Sequence, residues 1–313
     1  MTNPLTVPAS GTRKLLRSLK RAFMRAWKAL MRRVTGRSEI SRILRRHEGY
    51  SSDLVQAIAR SIASSERDSE KDAVFGIKLF DVAVISARLA EKKAISDEDK
   101  PRLIWCLEVF NIVSRVIDKA GVLQRTAFDT GSQEQVAQLE GLWSSLQPSA
   151  RRTAGGWGAL GFQNGERPET DFRGMGLLGL VQLLFFSESR NSEARQILAD
   201  STNPKRYFPF AAAGINVTAF TKTMLEQRRL DTCLYDAIVK HVKTGKLPED
   251  KDMLVAAGFA AFNGIYGDEY VEFSRFWHAS NPENSTMAFP GIFGTIKQRS
   301  NSRFPRLVEV EEV

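Results

Sequence analysis

Residues 157–180 read WGALGFQNGERPETDFRGMGLLGL. A glycine-punctuated aromatic run from Trp157 to Gln163 enters a polar turn. Pro168 and Thr170-Asp171-Phe172 follow, and Arg173 then stands at the mouth of an apolar helix predicted over 174–187. Gly155, Gly156, Gly158, Gly161 and Gly165 invite comparison with a phosphate-binding loop. A Walker loop requires Lys-Ser/Thr after its last glycine, and neither follows here. A dinucleotide fingerprint requires a preceding strand, and no strand pattern precedes it. Gly174, Gly176 and Gly179 are expected to let helices approach closely, at a propensity cost of about 1 kcal/mol each. Taken alone, the residues leave two accounts of Arg173. It either forms a salt bridge to Asp171 or Glu169 that fixes the helix entrance, or keeps its guanidinium for the phosphate of another molecule.

Outward from this stretch the apolar spacing is helical almost everywhere. Leu54, Val55, Ile58 and Ile62 share one helix face, as do Leu103, Leu107, Phe110, Val113 and Ile117. The apolar run Ala73–Leu89 reads as one buried helix. Further helices are expected from Gln133 to before Pro148, over 192–199, and from Pro209 through Leu225. Asp231 is expected to cap a helix closed by Gly245 with Lys243 in its last turn, and two more helices follow, over 253–266 and 269–278. Alternating strand patterns are nearly absent. The expected fold class is all-α, a single multi-helical domain with additional N-terminal helices packed on it. The organisation read from the chain is a disordered lead (1–12), a basic amphipathic helix (13–37), an N-terminal helical region (38–132), a principal domain (133–297) and a disordered tail (298–313). The weakest internal boundary falls at Thr126–Gln133, a polar stretch.

Net charge is +9, but ten of the 45 basic residues lie between Arg13 and Arg37 with no acid among them. The remaining 35 face 36 acids, so the body is close to neutral and nucleic acid is not an expected partner. His47, His241 and His278 are isolated, so no metal site is expected. Cys106 and Cys233 lie far apart in apolar helical patterns, as buried reduced thiols do. The longest apolar run, Gly174–Phe186, is too short for a bilayer and contains Gln182. Thr2 does not fit N-myristoylation, the final Glu-Glu-Val is not a prenylation signal, and the charged N-terminal segment does not resemble a signal peptide. An intracellular, cytoplasmic protein, peripheral at most on an organelle membrane, is expected.

Along Arg13–Val34 the apolar residues recur at helical spacing with Arg and Lys on the other face. Three readings stay open: a helix docked on the body, a helix lying on anionic lipid with Phe23, Trp27 and Leu30 inserted, or an organelle-targeting segment.

The central stretch resembles the ELMO (engulfment and cell motility) domain, and most closely the ELMO domain-containing proteins. The resemblance rests on Leu142-Trp143, Trp157, Gly161-Phe162-Gln163, Pro168, the block Thr170–Leu180 and Phe185-Phe186. A second block follows in Tyr207–Ala211 and Gly214–Thr218, and a third in Phe273, Phe276-Trp277 and Met287–Phe289. The likeness runs from Gln133 to Lys297. It implies an all-helical domain that activates GTP hydrolysis by Arf-family GTPases, Arf-like members included. The family's motif arginine is regarded as the catalytic finger, and that position here is Arg173. The resemblance also brings Gln163, Asp171, Gly174, Trp157, Phe162 and Arg167 into view as supporting or partner-contacting residues. Trp157 and Phe162 are expected to be core aromatics holding the loop; Asp171 and Gln163 are expected to orient the arginine or touch the GTPase, or to serve as a helix cap or core hydrogen bond. It implies no cofactor of the chain's own, since GTP and magnesium belong to the partner. Scaffold-type members, which partner exchange factors, lack this arginine context; a non-catalytic adaptor is the alternative. This chain departs from the pattern at Gln163–Pro168, one residue longer than usual, where Arg167 replaces a common acid.

Overall fold

A computed structural model describes residues 19, 22–23, 26–64, 69–76, 78–149, 153, 155–242, 245–282 and 285–307. The described residues form helices and contain no strand, as the periodicity requires. In chain order these are α1 (residues 26–35), α2 (Glu39–Arg46), α3 (Ser52–Ala63), α4 (Ser69–Phe75) and α5 (Val82–Lys93). The long α6 (Lys100–Arg125) leads to α7 (Gln133–Leu146), two short 3-10 turns (Gly156–Leu160 and Pro168–Gly174), α8 (Gly176–Ser189) and α9 (Asn191–Ser201). The chain ends with α10 (Phe210–Glu226), α11 (Asp231–Val239), α12 (Asp252–Ser280) and α13 (Ser285–Arg303).

Two long helices organise the core. The face of α6 predicted from sequence is buried at Leu103, Leu107, Phe110, Val113 and Ile117. Its partner α12 contacts α6, α8, α10, α11 and α13. Close approach is enforced where side chains are missing. A Cβ on Gly258 of α12 would come within 2.8 Å of Val116 on α6, and one on Gly214 of α10 within 2.6 Å of Leu183 on α8. A single buried cluster runs from Ile40 to Phe304, so the polar stretch at 126–133 is a connection, not a break in the core.

Several expectations need correction. The run Ala73–Leu89 is two helices: α4 ends at Phe75, and the Asp81 carboxylate caps α5 by accepting from the N–H groups of Ala83 (2.8 Å) and Val84 (3.1 Å). Conversely, α12 is one helix through Gly267, because that glycine lies against Phe186 of α8, 3.1 Å from an added Cβ. Asp231 is not a backbone cap. Its carboxylate accepts from Arg228 Nε (2.9 Å) and from the Tyr235 hydroxyl (3.0 Å), and all three side chains are fully buried. Arg228 adopts φ 58 and also donates to Ser114 of α6, at 3.3 Å. α11 ends at Val239, and Gly245 (φ 69) packs instead against the Tyr50 ring; Lys243 lies outside the described residues.

The tail expected to be disordered from 298 is helical to Arg303. Ser300 donates to the buried Glu269 carboxylate, and Arg229 donates to the carbonyls of Asn301 (3.2 Å) and Phe304 (3.1 Å). Residues 308–313 and the expected lead at 1–12 lie outside the described residues, as does part of the basic helix. Within that helix, Trp27, Leu30 and Val34 face solvent, contrary to docking of its apolar face on the body.

Candidate functional site

The connection from α7 to α8 folds onto itself before it presents Arg173. Gly155 (φ 71) and Gly161 (φ 78) bracket the first 3-10 turn, which buries Trp157 and Leu160. The left-handed backbone at Gly161 admits no side chain without strain, and an added Cβ would stand 2.2 Å from the Phe210 nitrogen. The Trp157 N–H donates to the Gly165 carbonyl at 3.2 Å, closing the loop. Asn164 Oδ1 accepts from the N–H groups of Glu166 (3.1 Å) and Arg167 (2.9 Å), the side-chain turn that Asn-Gly favours.

Rings support this loop from beneath. Trp143 meets Trp157 at 5.7 Å, Trp157 meets Phe162 at 5.8 Å, and Phe162 meets Phe172 at 5.7 Å, all edge to face. Phe172 then stacks on Phe128 at 6.3 Å, beyond the end of α6. Pro168 and Phe172 point inward from the second 3-10 turn, which leaves Arg173 and Gly174 on the outside. Trp157 and Phe162 are thus core aromatics in the structure, and they brace the turn that carries the arginine.

Arg173 is exposed and donates from Nη1 to the Thr170 carbonyl at 3.3 Å. The two nearby carboxylates are engaged elsewhere. Asp171 Oδ2 accepts the Gln163 backbone N–H at 2.6 Å, and Glu169 pairs with Arg167 Nε at 3.0 Å. Among the described residues no acid lies within ion-pair distance of Arg173, so a salt bridge to Asp171 or Glu169 is not formed. Gln163 contributes its backbone to the loop and exposes its residue surface; Arg167 is largely exposed beside it. The close-packing role holds for Gly176, whose Cβ would lie 2.3 Å from the Gln124 carbonyl, and for Gly179, beside Phe172. It fails for Gly174, where a Cβ would meet nothing within 4 Å. The Gly174 carbonyl accepts instead from Gln124 Nε2 at 3.5 Å.

From sequence, Asn164 and Gln124 had no assigned role, and Thr170 entered only as part of the motif, not as the hydrogen-bond partner of Arg173. The Asn-Gly dipeptide is a turn signal that marks the first. The roles of the other two depend on contacts that spacing does not reveal. Chemically, the site offers one permanently charged, planar guanidinium, held by one neutral hydrogen bond, with further donors turned to solvent. Among the described residues no group of three or more His, Cys, Asp or Glu side chains could hold a metal ion, and no helix is long and apolar enough to cross a membrane.

Fold and site together define an all-helical domain in which a ring-braced turn presents Arg173, without an ion pair among the described residues. The chain belongs to the ELMO/CED-12 family, whose profile matches residues 119–293. It is 32% identical over 280 residues to ELMO domain-containing protein B of Dictyostelium discoideum, covering 86% of this chain and 90% of that protein. ELMO domain-containing protein 2 of Mus musculus is 31% identical over 281 residues, covering 84% and 86% respectively. ELMO domain-containing protein 1 of Bos taurus is 30% identical over 239 residues, covering 68% and 72%. No solved structure matches the chain.

Proposed function

We propose that this protein is a GTPase-activating protein for an Arf-family small GTPase, with Arg173 supplied in trans as an arginine finger. The observation that carries the reading is the solvent-facing guanidinium whose neighbouring acids are bound to other partners. A finger neutralised by its own chain would first have to break that pair. Arg173 needs only to release one neutral bond to Thr170.

In phosphoryl transfer, negative charge spreads over the β–γ bridge and the transferring oxygens. A planar guanidinium bonds two such oxygens at once, which an ammonium does less well. The partner supplies nucleotide and magnesium. Asp171 acts as a positioning residue by holding Gln163, and so keeps the loop against the turn that bears Arg173. Arg167, Gln163 and Gly174 lie on the exposed rim where a GTPase would seat. Such a protein works inside the cell, at the membranes where these GTPases act.

The experiment is phosphate release from a panel of GTP-loaded Arf and Arf-like GTPases with and without the full chain. Acceleration of one or more members supports the reading. Complex formation with an unchanged hydrolysis rate would assign the protein to the adaptor alternative.

A further inference from the structure

Helix α1 and the described helical residues just before it carry an apolar stripe that the other described residues leave uncovered. Leu19, Phe23, Trp27, Leu30 and Val34 are 58%, 67%, 47%, 52% and 72% exposed. Their spacing of four, four, three and four residues keeps them on one helical face. The opposite face meets the body: Lys28 Nζ lies 2.7 Å from Glu39 of α2 and 2.6 Å from the Ser64 hydroxyl after α3. Attachment by the polar side turns the stripe outward.

We propose that this stripe docks the protein on an anionic lipid bilayer, with the five apolar side chains seated at the headgroup boundary and the flanking cations on lipid phosphates and carboxylates. The charge distribution selects this occupant. The segment from Arg13 to Arg37 holds ten cations and no acid, whereas the rest of the chain is balanced. Arg33 is exposed on the helix flank beside the stripe, and Arg37 is exposed just beyond the helix end. A second copy brought face to face would oppose ten like charges with ten more. A nucleic acid would satisfy the cations and leave the apolar stripe in water. A bilayer rich in anionic lipid satisfies both.

The inference is independent of the role of Arg173 and is tested separately. Trp27 is a built-in reporter, because the other four tryptophans, Trp105, Trp143, Trp157 and Trp277, are already buried. The full chain is mixed with vesicles of phosphatidylcholine alone, or of phosphatidylcholine with phosphatidylserine, and followed by co-sedimentation and tryptophan emission. Binding is expected to the serine-containing vesicles, with a blue shift that Trp27→Phe removes while binding persists. Phe23→Asp combined with Leu30→Asp should weaken partition about tenfold or more. Arg33→Gln and Arg37→Gln should weaken it about fivefold each, and added salt should weaken the wild type. All four positions are exposed, so melting temperatures should match the wild type. Arg173→Lys should bind vesicles normally.

Absence of binding to either vesicle would overturn the proposal. So would equal binding to both, or binding that the stripe variants leave unchanged. A concentration-dependent dimer abolished by Phe23→Asp would assign the stripe to a second copy and overturn it too.

Discussion

Replacing Gly161 with alanine inserts a methyl group where the backbone entering α10 already stands. The new Cβ would lie 2.2 Å from the Phe210 nitrogen, 2.7 Å from the Pro209 carbonyl carbon and 2.9 Å from Pro209 Cα. These are main-chain atoms, so no rotamer change relieves the overlap. Gly161 also sits at φ 78, where an L-residue loses roughly 1–2 kcal/mol. Overpacking of a filled interior adds roughly 1–3 kcal/mol. The expected destabilisation is therefore about 2–5 kcal/mol, a large part of the 5–15 kcal/mol typical of a domain. The matched control is Gly158→Ala, three residues away. Its Cβ would meet nothing within 4 Å, and its φ is not positive, so the change should be neutral or stabilise by about 0.5 kcal/mol. Equilibrium urea unfolding of the two variants and the wild type measures both. If Gly161→Ala matched the wild type, or if Gly158→Ala were as damaging, the close approach of loop and α10 would be wrong. The comparison also separates a structural glycine from a generally glycine-rich, phosphate-seeking loop.

The buried Arg228–Asp231–Tyr235 cluster yields a second prediction. Asp231→Ala strands a fully buried guanidinium and should destabilise by about 3–5 kcal/mol in denaturant unfolding. Replacing both ions together, as Arg228→Met with Asp231→Leu, should cost less than the single deletion. Glu269 yields a pH dependence. Burial pushes its carboxyl above the usual 4.5, with Ser300 and Arg303 pulling the other way. Folding therefore takes up a proton at this site, and its contribution falls as pH climbs from 4.5 through the raised value. Glu269→Gln should flatten that decline in unfolding free energy measured against pH; superimposable curves would contradict the assignment.

Sequence spacing revealed the elements whose burial is periodic and local. The α3 and α6 faces were legible because each apolar position three or four residues on is buried on the same side. The run Ala73–Leu89 concealed a break, since apolar composition continued across it; the Asp81 cap was the available signal. The reverse held at Gly267, where a glycine that looked like an interruption is instead a contact with Phe186, a residue far away in sequence on a different helix. Ser300 and Glu269 explain the ordered tail in the same non-local way. At the site, the position of the arginine and the bracing role of Trp157 and Phe162 were legible from the motif, whereas the extension of the ring chain to Phe128 was not. The partners of Asp171 and Glu169 were not, because adjacent acids in a turn can serve either the arginine or the backbone. Only the fold of the loop assigns Asp171 to the Gln163 N–H and Glu169 to Arg167.

The central claim turns on whether the Arg173 guanidinium does chemistry or merely decorates a turn. Arg173→Lys keeps a positive charge and a flexible side chain at an exposed position with no ion pair to lose, so the fold should be untouched. Single-turnover phosphate release from a responsive Arf-family GTPase, with the variant at saturating concentration, measures the claim directly. The account predicts loss of nearly all of an acceleration on the order of 10³–10⁵, with helicity and melting temperature unchanged. Full acceleration by the lysine variant would contradict it.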